Sequence, residues 1–167
     1  MAPFFKNDLE VLNYALTLEH LEDNFYRTVN ASGKLQGNAA QYLKTIGAHE
    51  AAHVAALTKA IQGAGGTPVA ELPRYNFAAV GDMTTQAGIL MIANILEPTG
   101  VKAYDGAARE ITDKAILGVA GQIVQVEARH AAIIKALINP NASPVPAAFE
   151  AKATPQEIVM AITPIIS

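Results

Sequence analysis

Apolar residues recur at steps of three and four through four long stretches of the chain, the period of helices that turn one face to a core. The first stretch carries Val11, Leu12, Ala15, Leu16, Leu18, Leu21 and Phe25 on that spacing, and the second carries Leu43, Ile46, Gly47, Val54, Leu57 and Ile61. Leu90, Ala93, Asn94, Gly100, Val101 and Ala108 mark the third; Ala120, Ile123, Val124, Ala131, Ile134 and Leu137 mark the fourth. Local signals set the ends. Asn7 followed by Glu10 reads as a capping box, with the first helix ending near Gly33, and Asn38 with Gln41 opens a second helix that runs to about Gly63. Asp82 or Thr84 is placed at the start of the third helix, and Thr112 or Asp113 at the start of the fourth, which Asn139-Pro140 ends. Pro98 interrupts the third stretch, at a cost of about 3 kcal/mol for an interior proline. Gly118 and Gly121 permit close approach of a neighbouring helix.

Connection lengths convert these helices into a topology. Gly33 to Gly37 is short enough for a hairpin, whereas Gly65 to Gly81, with Pro68 and Pro73, is a long crossover that carries the chain back along the bundle. A tight turn joins the third and fourth helices. Residues 141–153 are rich in proline and alanine, and Thr154-Pro155-Gln156-Glu157 then announces a short terminal helix. The pattern predicts one all-α domain over 1–167, an up-down-down-up four-helix bundle with its core at about 7–138 and a C-terminal extension at 139–167.

Polar residues interrupt the apolar stripes at related places. Glu50-Ala-Ala-His53 and Glu127-Ala-Arg-His130 put a glutamate and a histidine one helical turn apart, so both can reach one ion. A further glutamate precedes each pair, Glu19 by 31 residues and Glu97 by 30, so the chain reads as two related helical hairpins. No Lys or Arg shares the face of the second helix. Four buried carboxylates without basic partners repel one another and lose hydration; two divalent cations, with four positive charges, bring them to neutrality. Carboxylate and imidazole donors suit iron, manganese and zinc. Tyr26 and Tyr104, each seven residues after Glu19 and Glu97, are candidates to hydrogen-bond a ligand. Glu22, one turn after Glu19, is either an extra ligand or a solvated surface charge beside Asp23, and the second reading is preferred; His20 and His49 are read as pointing about 100° away from their ligand neighbours.

Composition narrows the function classes. The 51% apolar content with only 6% aromatic residues fits closely packed helices, and a net charge of -3 leaves no basic footprint for nucleic acid. Without cysteine there is no disulfide framework or thiolate site. No apolar run approaches membrane-spanning length, and the N-terminal Met1-Ala-Pro-Phe-Phe-Lys6 lacks a signal-type apolar segment, so the expectation is a soluble chain, cytoplasmic by default and exported if a leader has been removed.

The strings Leu12-Asn-Tyr-Ala-Leu-Thr-Leu-Glu19-His-Leu-Glu22, Gly100-Val-Lys-Ala-Tyr-Asp-Gly106 and Val126-Glu-Ala-Arg-His130 are similar to the stress- and desiccation-related ferritin-like proteins of bacteria and plants. That resemblance, over about residues 7–138, implies a ferritin-like bundle holding two metal ions, iron first and manganese or zinc as alternatives. It also implies that Glu50 and Glu127 bridge the ions, with Glu19 and His53 terminal on one, Glu97 and His130 on the other. Pro98 departs from the acidic or polar residue the family has there. The implied function is a di-iron protein reacting with dioxygen or hydrogen peroxide, in iron oxidation or peroxide removal under stress. The rivals are manganese catalase-like disproportionation of peroxide and a non-catalytic protective bundle. A monomer or homodimer is expected in preference to a cage.

Overall fold

In the computed structural model the chain forms five α-helices among the described residues, 3–145 and 147–167; residues 1 and 2 of the N-terminal stretch and 146 of the proline-rich connection lie outside them. Helix α1 spans Asp8–Ala31, and its N-cap Asn7 accepts from the Glu10 backbone. Glu10 reaches back to the Lys6 N–H at 2.9 Å, so the capping box closes one residue early. Helix α2 spans Gly37–Gly63 with Gln36 as its uncapped N-cap, which displaces the expected start at Asn38. Gly33 and Gly37 turn the chain there with positive φ, and the glutamine left at the N-cap makes no side-chain cap bond.

The crossover shows how the hairpins are oriented. Starting from the end of α2, it runs along α1: Asn13 Nδ2 donates to Thr67 O at 3.2 Å, then Asn24 Nδ2 donates to Glu71 Oε1 at 2.7 Å, and Phe77 packs on Phe25 at 5.2 Å. It delivers α3, Gln86–Ala107, to the end of the bundle where α1 meets α2, and there the Gln36 N–H bonds Gln86 Oε1 at 2.7 Å. Helices α2 and α3 are therefore parallel, the up-down-down-up order. Thr85, not Asp82 or Thr84, caps α3, because Asp82 is occupied by the Thr84 and Thr85 hydroxyls, each at 2.6 Å. Pro98 does not interrupt α3, which continues through it; proline removes a single backbone donor, and the packed turns on either side keep theirs.

A short 3-10 turn, Ala108–Glu110, leads to α4, Lys114–Ile138, capped by Asp113. Gly118 and Gly121 face open space, so the close approach expected of them is not used. Helix α5, Pro155–Ile166, starts with a complete Thr154–Glu157 capping box and buries Ile158, Ile162 and Ile165. It packs on α3, which is why α3 buries Ile89, Ile92, Leu96 and Ala103 in addition to the expected stripe, while Asn94 and Ala108 at that stripe's margin stay half-buried. Gly106 lets the linker pass: a Cβ there would stand 1.8 Å from Ala153 O. Among the described residues no helix is long and apolar enough to cross a membrane.

Two apolar layers fill the bundle. Leu12, Leu16, Leu57, Ile61 and Ile123 pack near the start of α1, and Leu21, Phe25, Leu43, Ile46, Leu96 and Ile134 pack toward its end. The polar residues of the stripes lie between these layers.

Candidate metal centre

Each of the four long helices places one glutamate at mid-length on its inner face, and Glu19, Glu50, Glu97 and Glu127 are all 0% exposed. His53 and His130, one turn further on α2 and α4, are buried beside them. Dry apolar layers above and below deny these groups the water that would otherwise stabilise their charge.

The donor atoms fall into two sets of four, Glu19, Glu50, His53 and Glu127 in one and Glu50, Glu97, Glu127 and His130 in the other, each set within 4.8 Å throughout. In the first, His53 Nδ1 lies 3.2 Å from Glu19 Oε2, 3.2 Å from Glu50 Oε2 and 2.9 Å from Glu127 Oε1. In the second, His130 Nδ1 lies 2.9 Å from Glu50 Oε1, 3.3 Å from Glu97 Oε2 and 3.7 Å from Glu127 Oε2. Glu50 and Glu127 thus give one oxygen to each set. All six residues singled out by their spacing meet at one place.

Hydrogen bonding leaves this donor set incomplete. Glu50 Oε1, Glu97 Oε2, both Glu127 oxygens and His130 Nδ1 are buried without a partner among the described residues. The 2.9 Å approach of His130 Nδ1 to Glu50 Oε1 is close in distance but lacks the angle of a hydrogen bond. Orphaned buried oxygens cost free energy, and a cation at each set is the partner their geometry fits.

Two tyrosines fix the terminal carboxylates. Tyr26 on α1 donates to Glu97 Oε1 on α3, and Tyr104 on α3 donates to Glu19 Oε1 on α1 at 2.5 Å. Each leaves the other oxygen, Oε2, free for its set. Burial and the adjacent carboxylate push both phenols well above their ordinary range, so they remain donors.

Electrostatics shows how strongly the site holds positive charge. Burial and neighbouring carboxylates raise Glu19 well above the usual range, and Glu97 goes to about 8. Burial pushes Glu50 up too, but His130 and His53 beside it outweigh this and leave it at about 2. Burial opposes the charged form of both histidines, yet the surrounding carboxylates hold His53 and His130 up at about 12. Protons and cations compete for the same atoms.

Two residues read from their positions as outside the site belong beside it. Glu22 is not a solvated surface charge; at 4% exposure it is buried against the centre. Its three-residue step from Glu19, the same as that of each Glu-x-x-His pair, was the available signal. His49, although exposed, places Nδ1 2.9 Å from Nε2 of His130, with the two rings nearly parallel. Nothing in its spacing marks it, because the contact is made across helices. His20, by contrast, meets only Val69 O at the surface, as expected.

The family described as Ferritin-like domain matches residues 7–140. Two solved structures are similar to the chain. One is a conserved hypothetical protein, rv2844, from Mycobacterium tuberculosis, with a TM-score of 0.69 and 15% identity over 77% of this chain and 94% of that one. The other is hypothetical protein MJ0754 from Methanococcus jannaschii, with a TM-score of 0.66 and 14% identity over 98% and 95% of the two chains. At such identities the likeness is one of fold. No curated protein matches the chain.

Proposed function

The chain belongs to the ferritin-like domain family, and from that membership we propose that it is a non-haem di-iron carboxylate protein that reacts with dioxygen or hydrogen peroxide, in iron oxidation or protection against oxidative stress. The observation that carries this reading is the pair of four-atom donor sets joined by Glu50 and Glu127, with orphaned buried oxygens aimed into both. The four carboxylates of the two donor sets match the charge of two divalent cations. When bound, such a redox-active pair supplies the two electrons that reduce dioxygen or peroxide.

The residues of the chain supply the rest of the chemistry. Glu50 and Glu127, each with one oxygen in either donor set, would help to hold both ions. Glu19 with His53 and Glu97 with His130 close the two ends, and the Tyr104 and Tyr26 hydroxyls stop the terminal carboxylates from swinging away. Leu16, Leu57, Leu43 and Ile46 in the flanking layers exclude water. With Nδ1 of His130 turned to the centre, its Nε2–H donates to His49 Nδ1, which gives one end of the site a proton route to the exposed imidazole. The proposal includes a monomer or homodimer, which sedimentation tests.

Elemental analysis of protein purified without chelator decides the premise. About two iron ions per chain are expected in the wild type, and Glu50→Ala should lose both, because Glu50 contributes to each set. No uptake after anaerobic reconstitution with iron or manganese would overturn the reading. Oxygen evolution from peroxide by manganese-loaded protein alone would replace iron with the catalase-like alternative, for which the same donors are suited.

A further inference from the structure

We propose that Glu22 is a fifth carboxylate ligand of the centre, serving the cation position formed by Glu97 and His130, and that Gly100 is the residue that admits it. The inference rests on the di-metal reading above and concerns how its two positions differ.

Glu22 is 4% exposed, and it is surrounded by Glu127, Glu97, Glu50 and Glu19, with no hydrogen-bond donor to it among the described residues. A carboxyl buried without a donor is costly, and a cation is the partner that offsets the cost. The location of the side chain follows from the backbone it touches. A Cβ on Gly100 would stand 3.3 Å and 3.4 Å from the two Glu22 oxygens and 3.6 Å from Glu127 Oε2. The Glu22 carboxylate therefore lies against the bare backbone of Gly100, beside the oxygen of Glu127 that faces His130. The other Glu127 oxygen, Oε1, faces His53. Glu22 belongs to the helix of Glu19 but lies on the side of the opposite set, next to and not yet among its four clustered donor atoms, so that it would join them on a bound cation. Tyr26 makes the same crossing to Glu97.

The internal repeat makes this asymmetry specific. Glu19 corresponds to Glu97, and Tyr26 to Tyr104; the partner of Glu22, three residues past Glu97, is Gly100. One hairpin supplies an extra carboxylate where the other supplies the space for it. Two positions with matching Glu and His donors are thereby made unequal, the one at Glu97 and His130 carrying more negative charge and one more oxygen donor.

Anaerobic Co(II) titration of the metal-free protein, followed by its visible absorption bands, tests the proposal without relying on turnover. Wild type should bind in two steps of different affinity. Glu22→Gln, which keeps size and fold, should weaken one step at least about tenfold and alter its bands, with the other step unchanged. Gly100→Ala, whose Cβ would press on the Glu22 carboxylate, should weaken the same step. The effect of Glu22→Gln should be non-additive with Glu97→Gln and additive with Glu19→Gln. Titrations and spectra of Glu22→Gln that superimpose on wild type would overturn the proposal, as would coupling to Glu19 in place of Glu97. Absence of Co(II) uptake by wild type itself would overturn the di-metal reading instead.

Discussion

Replacing Tyr26 by Phe removes one oxygen from the buried centre, and the crossed arrangement says which end feels it. Tyr26 is on the helix of Glu19, but its hydroxyl bonds Glu97 Oε1. With Glu97 raised to about 8, its carboxyl is mostly protonated in the metal-free protein at neutral pH, so the hydrogen bond contributes about 0.5–1.5 kcal/mol, and truncating the donor also leaves Glu97 Oε1 without a partner. Burial around Tyr26 is complete, at 0% exposure, so water does not replace the lost donor. The metal-free Tyr26→Phe protein should be less stable by that amount, with roughly 2–4 °C of Tm for each kcal/mol in a domain of this size. Metal affinity at the Glu97 and His130 position should fall about 10–100-fold, the usual effect of losing a partner that orients a ligand. Thermal melts give the first number and chelator competition the second. A double-mutant cycle gives the direction: Tyr26→Phe should couple to Glu97→Gln by about 1 kcal/mol and to Glu19→Gln by close to nothing. Coupling to Glu19, or none to either residue, would refute the crossed pairing.

Further outcomes follow from the same geometry. In chelated protein, Glu97, raised from 4.5 to about 8, contributes stability that is complete below 4.5 and lost as pH climbs to 8. His53 and His130, up at about 12, contribute stability that is complete below 6.5 and lost toward 12, whereas Glu50, at about 2, contributes above 4.5 and loses it toward 2. The Tm of the chelated protein should therefore fall as pH rises from about 5, while that of loaded protein holds or rises because cations displace the protons; a chelated Tm that climbs between pH 5 and 8 would contradict this. Gly106→Ala should cost about 1–3 kcal/mol, since its Cβ meets Ala153 O and forces the linker and α5 off α3. An unchanged urea midpoint would show that the linker is not held there.

The six donor residues were legible before any fold because burying an ionisable group is so unfavourable that glutamate in the middle of an apolar stripe needs a reason. The capping signals of Thr154-Pro155-Gln156-Glu157 gave helix α5 as well. Positions of other caps were less readable: Gln36 and Thr85 were missed because the choice of cap depended on where the glycine turn and the Asp82 network already held the chain.

The chain by itself determined the four amphipathic helices, the hairpin repeat and the set of carboxylates and imidazoles, since each of these depends on spacing along one helix. Tertiary structure alone decided what crosses between helices. Glu50 and Glu127 presenting one oxygen to each donor set, Tyr26 serving Glu97, His49 backing His130 and Glu22 lying against Gly100 all join residues on different helices. Helical period says which face a side chain occupies; the offset and rotation of packed helices, set by the apolar layers above and below, say which neighbour it meets.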